Sequence, residues 1–420
     1  MLEQTSRPTW PARLLPLLGA AVVAAALTGQ VMLLLGQSIP YFMSDFLVYR
    51  GGGHAVLHDV RVYQIGVATP VSQNMQFIYT PFAAVVLAPL AALGVGASET
   101  LWTFLSLLAI AATIWLSLRV SGVSSRRLLT AGTVGGMFVA SLLSPVSFNL
   151  ILGQINVFVM LLILLDFAPG TPERWRGVGI GVAAGLKLTP LLFVVYLVLT
   201  KRWAAAGRSV VAFAATILLG FAVIPADSRA YWLHGMFHDT SRMVPFPTLV
   251  NHSLPGLIAR LDHTTTPSNG ALAIATVVGV VFLAGAVWAY RRGQDTVGML
   301  VIAFTAQLVS PITWMHHGVW VIPALIWLSL ARWRSGTLLP WVVLSLATAW
   351  YLAPIWLIGQ GSLTARAPHQ WTTSGEIITA LTGNLVPAVI AIVLMPVWLP
   401  KLREPAKEES GVEEPTKATE

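Results

Sequence analysis

"GLKLTPLLFVVYLVLTKRW", residues 185–203, decides how this chain folds. The second half is greasy enough to lie in lipid and stops at the basic pair Lys201-Arg202. The first half puts Lys187, Thr189 and Pro190 inside an apolar segment, 177–199, that would otherwise be one span. Proline has no N–H to donate and disfavours helix in the residue before it. An ammonium in hydrocarbon is costly without a partner, and mid-segment it has little chance to snorkel to the interface. Broken backbone at membrane depth is tolerated only where it lines protein or a water-filled cavity. The stretch therefore predicts a hairpin with Lys187 and Pro190 at its apex, or an interrupted span.

The rest of the chain has the same character. Of 420 residues 56% are hydrophobic and 10% charged, against about 25% charged in soluble domains. Twelve apolar segments can be marked, near 13–36, 80–94, 99–120, 128–147, 150–168, 177–199, 206–224, 272–290, 296–312, 317–332, 338–358 and 380–399. Most meet the ~20 residues needed to cross a bilayer; 80–94 is short. The expected fold is an all-α polytopic membrane protein, with residues 1–400 as one membrane domain and the polar tail 401–420 disordered and cytoplasmic. The N-terminal run resembles a signal peptide but continues to Leu35, so it reads as an uncleaved first helix. The formal net charge is +8. The basic residues are scattered between apolar segments and form no stripe, which argues against a nucleic-acid partner. The absence of cysteine excludes disulfides and thiol chemistry.

Orientation follows from lysine and arginine, which favour the cytoplasmic side. Arg7 and Arg13, Lys201, Arg202 and Arg208, Arg291 and Arg292, Arg332 and Arg334, and Lys401 and Arg403 mark inside turns. Two large loops, 37–79 and 225–271, then lie outside together with the 313–316 turn and loop 359–379. Strict counting leaves Arg119, Arg126, Arg127, Arg174 and Arg176 outside too, unless 80–94 and 177–199 fail to cross.

The candidate site residues fall mostly on that outer side. In "SDFLVYRGGGHAVLHDV", residues 44–60, a short helix capped by Ser44 would put Asp45 and Tyr49 on one face, beside Arg50, until Gly51–Gly53 break it. A carboxylate at an interface is a functional candidate, suited to taking a proton from a hydroxyl. His54 and His58 have the spacing of half a zinc site and no evident third ligand. Tyr79 opens "YTPFAAVVLAPL" as an interfacial anchor or a ligand contact. Asn149, Gln154 and Asn156 sit in an apolar context, where amides bond between helices or meet sugar hydroxyls. Lys187 calls for a phosphate or for a structural partner such as Asp166. Arg242, Asn251, His252 and Arg260 are offered by the second large loop. His316 and His317 stand side by side, about 100° apart on a helix, so one cannot duplicate the other's contact.

Taken in order, "SDFLVY", "YTPFAAVVLAPL", "LGQINVFVM", "GLKLTPLLFVVYLVLTKRW", "NHSLPGLIARL" and "SPITWMHHGVWVIP" give a pattern. The chain resembles the actinobacterial polyprenol-phosphate-mannose-dependent α-1,2-mannosyltransferases, of the multi-spanning GT-C glycosyltransferase class. The resemblance implies a plasma-membrane enzyme whose site faces the exterior, a polyprenyl-phosphate-mannose donor, and a phosphatidylinositol mannoside or lipomannan/lipoarabinomannan acceptor. It implies Asp45 as base, with His316 and His317 near the donor or acceptor head groups. Lys187, Tyr49, Arg50, Tyr79, Gln154, Asn156, Asn251 and Arg260 are the further binding candidates. No metal or other cofactor is expected, since no carboxylate cluster is evident. Two alternatives remain at this level: a secondary transporter or flippase for a lipid-linked sugar, which would show two related halves, and the same chemistry with arabinose or glucose.

Overall fold

A computed structural model describes residues 42–335, apart from 71, 240–241 and 243–250, together with residue 351. The expected segments 13–36 and 380–399, nearly all of 338–358, loop 359–379 and the tail 401–420 lie outside the described residues. Those described are helical: α1 (Ser44–Leu57), α2 (Pro81–Ala91), α3 (Val95–Val120), α4 (Arg126–Leu142), α5 (Ser144–Leu152), α6 (Asn156–Phe167), α7 (Val178–Leu186), α8 (Leu191–Leu199), α9 (Trp203–Val223), α10 (Pro225–Trp232), α11 (Leu254–Leu261), α12 (Asn269–Arg291), α13 (Asp295–Val309) and α14 (Val321–Ser335). Among the described residues one antiparallel hairpin pairs Gly66 with Gln76 and Val67 with Met75.

Among the described residues three helices, α3, α9 and α12, are long and apolar enough to cross a membrane, and the pair α4 and α5, bent by 78°, would make a fourth. They correspond to expected segments 99–120, 206–224 and 272–290. They also carry bare apolar side chains such as Phe104, Val211, Leu218, Val277 and Val280. Such faces are a liability in water and the natural surface in lipid. The expected segments 128–147 and 150–168 are divided differently. Pro145 starts α5 after the bend, and Gly153, at φ 67°, ends it in a left-handed turn.

The 177–199 stretch is a hairpin. On α7, a Cβ at Gly181 would lie 2.3 Å from the Ser209 carbonyl oxygen, and one at Gly185 would meet the Thr216 side chain. Rising numbers on α7 thus meet rising numbers on α9, so the two helices run parallel at close approach, as small residues spaced by four permit. Helix α8 must return between them. At its end Arg202 lies over the rings of Phe167, Tyr196 and Tyr290 and forms a bidentate pair with Asp295, both bonds 2.9 Å. Nine residues per leg span about 13 Å, less than half of a ~30 Å hydrocarbon core. The apex of the hairpin is Lys187–Pro190.

The same contacts gather the arginines. Arg208 donates to the Arg176 carbonyl at 2.8 Å and pairs with Glu173 at 3.1 Å. Thr296, next to Asp295, donates to the Val120 carbonyl and so brings the Arg119 end of α3 alongside. Arg119, Arg176, Arg202 and Arg208 thus share one end of the bundle.

Helix α1 differs from expectation in two respects. It begins after Met43 with no side-chain cap from Ser44, and it continues through Gly51–Gly53. A Cβ at Gly53 would lie 2.8 Å from the backbone of Leu87 and Ala88 on α2. This glycine serves close helix contact and does not end the helix. Replacing Gly181 by valine should force α7 off α9 and cut the thermal stability of the detergent-solubilised protein by about 1–3 kcal/mol; unfolding followed by intrinsic tryptophan fluorescence would measure it.

Candidate active site

The hairpin apex, the start of α1 and the histidine turn converge on a cavity of about 820 Å³. Asp45 enters it from the first turn of α1, with Tyr49 one turn later. What lets α1 come this close is Gly153: its left-handed turn packs so tightly under Phe46 that a Cβ would lie 2.5 Å from the Phe46 Cβ. Trp102 of α3 fixes the same turn, its indole N–H donating to the Gly153 carbonyl at 2.7 Å. Gln154, next in sequence, is thereby aimed at Asp45.

Gln154 is the hub. Its Nε2 donates to Asp45 Oδ2 at 2.6 Å. Its Oε1 is reached by the hydroxyls of Tyr49 at 2.8 Å and Tyr79 at 3.3 Å, which are 2.8 Å from each other, and by Asn156 Nδ2 at 3.3 Å. Asn156 Oδ1 in turn accepts from Lys187 Nζ at 2.9 Å. Lys187 Nζ is also 2.9 Å from His317 Nε2 and 5.8 Å from the centre of the Tyr79 ring. The Trp314 N–H reaches Nδ1 of the same imidazole at 3.3 Å. Bonded to Asn156, an ammonium keeps donors for a ligand. Thr80 ties the start of α2 to the apex by a hydrogen bond to the Gly185 carbonyl.

Asp45 lies outside the spanning helices. Burial raises its carboxyl to about 6, and the Gln154 hydrogen bond and the charge of Lys187 hold that rise back. At neutral pH it is ionised, and it is a stronger base than an exposed aspartate.

The histidine turn, Met315–Trp320, is a 3₁₀ turn leading into α14. His316 is buried, its ring stacked 6.2 Å from Trp314, and its carbonyl accepts from Asn156 Nδ2. The His317 ring stands at 85° to that of His316 and reaches Lys187. The two imidazoles diverge as adjacent positions on a turn must.

The turn is clamped from the second large loop. Asn251 donates to the Pro311 carbonyl at 3.2 Å and accepts from the N–H of Thr313 and Ser253, at 3.0 and 3.1 Å. Ser253 also bonds the Pro311 carbonyl, and the His252 N–H donates to the Thr313 carbonyl at 2.6 Å. Arg260 Nη1 donates to the Asn251 carbonyl at 2.8 Å. Neither Asn251 nor Arg260 lines the cavity; both hold the backbone that carries the histidines. Arg50 likewise points away, to the carbonyls of Leu93 at 2.8 Å and Ala91 at 3.4 Å at the end of α2. Asp166 does not reach Lys187. It accepts from the N–H of Gly179 and Ile180 and caps α7 at the other end of the hairpin leg. His54 and His58 stack at 3.9 Å on the exposed side of α1, and among the described residues no three side chains form a metal-binding group.

Asp45, Tyr49, Tyr79, Gln154, Lys187, His316 and His317 are thus brought together on one cavity, with Asn156 bonded behind them. Trp102, Thr80 and Tyr63 carry part of the arrangement without a signal in the sequence: each is an ordinary residue of an apolar or loop segment. A chamber with one carboxylate base, two cationic side chains, Lys187 and Arg242, and a set of amides suits group transfer between hydroxyl-bearing and phosphate-bearing molecules.

Comparison with known sequences gives the same direction. The profile of glycosyltransferase family 87 matches residues 77–311. The chain is 32% identical over 329 residues to a polyprenol-phosphate-mannose-dependent alpha-(1-2)-phosphatidylinositol mannoside mannosyltransferase of Mycobacterium tuberculosis, covering 74% of this chain and 76% of the relative. It is 32% identical over 380 residues to a polyprenol-phosphate-mannose-dependent alpha-(1-2)-phosphatidylinositol pentamannoside mannosyltransferase of Mycolicibacterium smegmatis, covering 86% and 90%.

The clamp sets a further expectation. Asn251→Ala would leave the buried N–H groups of Ser253 and Thr313 without their side-chain acceptor, at a cost of about 1–3 kcal/mol. A fall in melting temperature, with weaker donor binding, checks this.

Proposed function

Because this chain belongs to glycosyltransferase family 87, we propose that it moves mannose from polyprenyl-phosphate-mannose to a mannose 2-hydroxyl of a phosphatidylinositol mannoside. It is a glycosyltransferase; the residue roles below are our reading. The observation that carries them is the continuous polar path from Asp45 through Gln154 and Asn156 to Lys187 along one cavity.

Asp45 takes the proton of the acceptor hydroxyl. Gln154 holds Oδ2, which leaves Oδ1 for the substrate. The freed oxygen attacks the anomeric carbon as the bond from that carbon to the phosphate oxygen breaks. The proton ends on Asp45, and polyprenyl phosphate leaves. Lys187, steadied by Asn156 and His317, meets the phosphate as charge builds on it; stabilisation fixed in place before reaction is the strongest form of such help. His316 and Trp314 close the wall beside it. A single displacement inverts the anomeric carbon, so a β-linked donor gives an α-linked product.

The cavity faces the exterior in this reading. Support comes from Arg119, Arg176, Arg202 and Arg208, which gather at the opposite end of the bundle, since basic residues mark the cytoplasmic side. The polyprenyl chain enters sideways from lipid. Residues 1–400 act as one membrane unit of about twelve apolar segments, of which 80–94 and 177–199 do not cross.

Asp45→Asn keeps an acceptor for Gln154 Nε2, so the protein should fold. Transfer in membranes supplied with the lipid donor should fall by a factor of about 10² or more. Near-normal mannosylation by this variant would remove the base from the mechanism. The carboxylate is the working form, so the rate should rise with pH, level off above about 6, and fall roughly tenfold per unit well below it. A rate–pH profile of the wild type that stays flat down to pH 4.5 would contradict the assignment.

A further inference from the structure

The cavity has a second wall of different chemistry, remote from Lys187. Tyr231, Phe237, His238 and Arg242 line it, with Gln76 of the small hairpin. The Phe237 ring is 47% exposed but firmly backed. Tyr231 and Trp232 lie 6.4 Å from it, His238 stands against it at 4.8 Å and 76°, and Tyr231 stacks on Tyr63 at 5.5 Å. Gly235, at φ 80°, makes the turn beneath; a Cβ there would lie 2.6 Å from the His238 ring.

Arg242 forms the polar edge of this wall. Its Nε donates to Gln76 Oε1 at 2.7 Å and its Nη2 to the Tyr63 carbonyl at 2.6 Å. Among the described residues, Nη1 meets the Met236 sulfur at 3.8 Å, a weak acceptor. The wall is also in register with the base. The Tyr63 hydroxyl donates to the Tyr79 carbonyl at 2.8 Å, and the Tyr79 hydroxyl belongs to the Gln154 hub that holds Asp45.

A pyranose ring has an apolar C–H face and a rim of hydroxyls. A fixed aromatic face beside the Nη1 edge of a guanidinium matches both features at once. A bare anion would use Arg242 and gain nothing from Phe237. We propose that the Tyr231–Phe237–His238–Arg242 wall is an acceptor subsite that binds the sugar unit next to the mannose presented to Asp45. This rests on the mannosyl-transfer reading for which sugar meets the base, but binding to the wall needs no turnover.

The test is calorimetric titration of the full-length protein in detergent, without donor, using an alkyl monomannoside and an alkyl dimannoside of equal chain length. The wild type should bind the dimannoside more tightly. Phe237→Ala, at a side chain half in solvent, should weaken the dimannoside roughly five- to tenfold and leave the monomannoside unchanged. Phe237→Trp should keep the preference, and His238→Ala should lower it. Equal binding of both ligands by the wild type, or equal losses for both in Phe237→Ala, would overturn the proposal. So would an alkyl phosphate that binds the wild type more tightly than the dimannoside and competes with it. The catalytic reading fails separately, through turnover by Asp45→Asn with these binding preferences intact.

Discussion

An ammonium group in an apolar segment has to be met by other polar groups, and the architecture of this protein is arranged around meeting Lys187. On a straight spanning helix the side chain would face lipid, at a cost of about 2.5–3.5 kcal/mol even on the mildest scale. The hairpin avoids that by turning at Lys187–Pro190 and presenting the lysine to Asn156 and His317. Glycines on α7 let the outgoing leg lie directly against α9, and the aromatic box around Arg202 anchors the returning leg beside Asp295. Both legs are too short to cross, so the backbone groups freed at the apex open on protein and cavity, as hydrocarbon requires.

The hairpin also sets the spacing between base and cation. Asp45 and Lys187 come from elements distant in sequence, and they are joined by two amides in succession. Each amide has both ends committed: Gln154 donates to the carboxylate and accepts from tyrosine, and Asn156 donates to Gln154 and to the His316 carbonyl while accepting from Lys187. Amide chains of this kind fix side chains in one orientation, because reversing any one of them would set donor against donor. The carboxylate and the ammonium are thus separated and yet positioned together. An ion pair in direct contact would neutralise both and leave neither for substrate.

A second tier of residues does its work on the backbone. Asn251, Ser253 and Arg260 pull the second large loop onto the segment before the histidines, and Arg50 fixes α1 to the end of α2. These are polar residues in an apolar protein, which is why they read as ligand contacts. Their bonds go to main-chain carbonyl and N–H groups, and they determine where the cavity walls stand. Arg242 is of the same kind, and its neighbours are aromatic and open to the cavity.

The sequence by itself determined the membrane class, the break at Lys187–Pro190, and the shared face of Asp45 and Tyr49, because composition, proline geometry and the four-residue helical repeat act locally. The ordered motifs also carried the family. Which arginines share an end was decided only by tertiary structure. Charge counting assumes that every apolar segment crosses, and α2, α7 and α8 are too short to do so. The glycines at 51–53 look like a helix break in one dimension and prove to be a contact surface in three, since the helix opposite them is about thirty residues away in the chain. The division of Gln154, Asn156, Asn251 and Arg260 into those near substrate and those behind the scaffold was likewise invisible beforehand. A buried amide or guanidinium needs a partner in either case, and only the folded chain supplies the partner's identity.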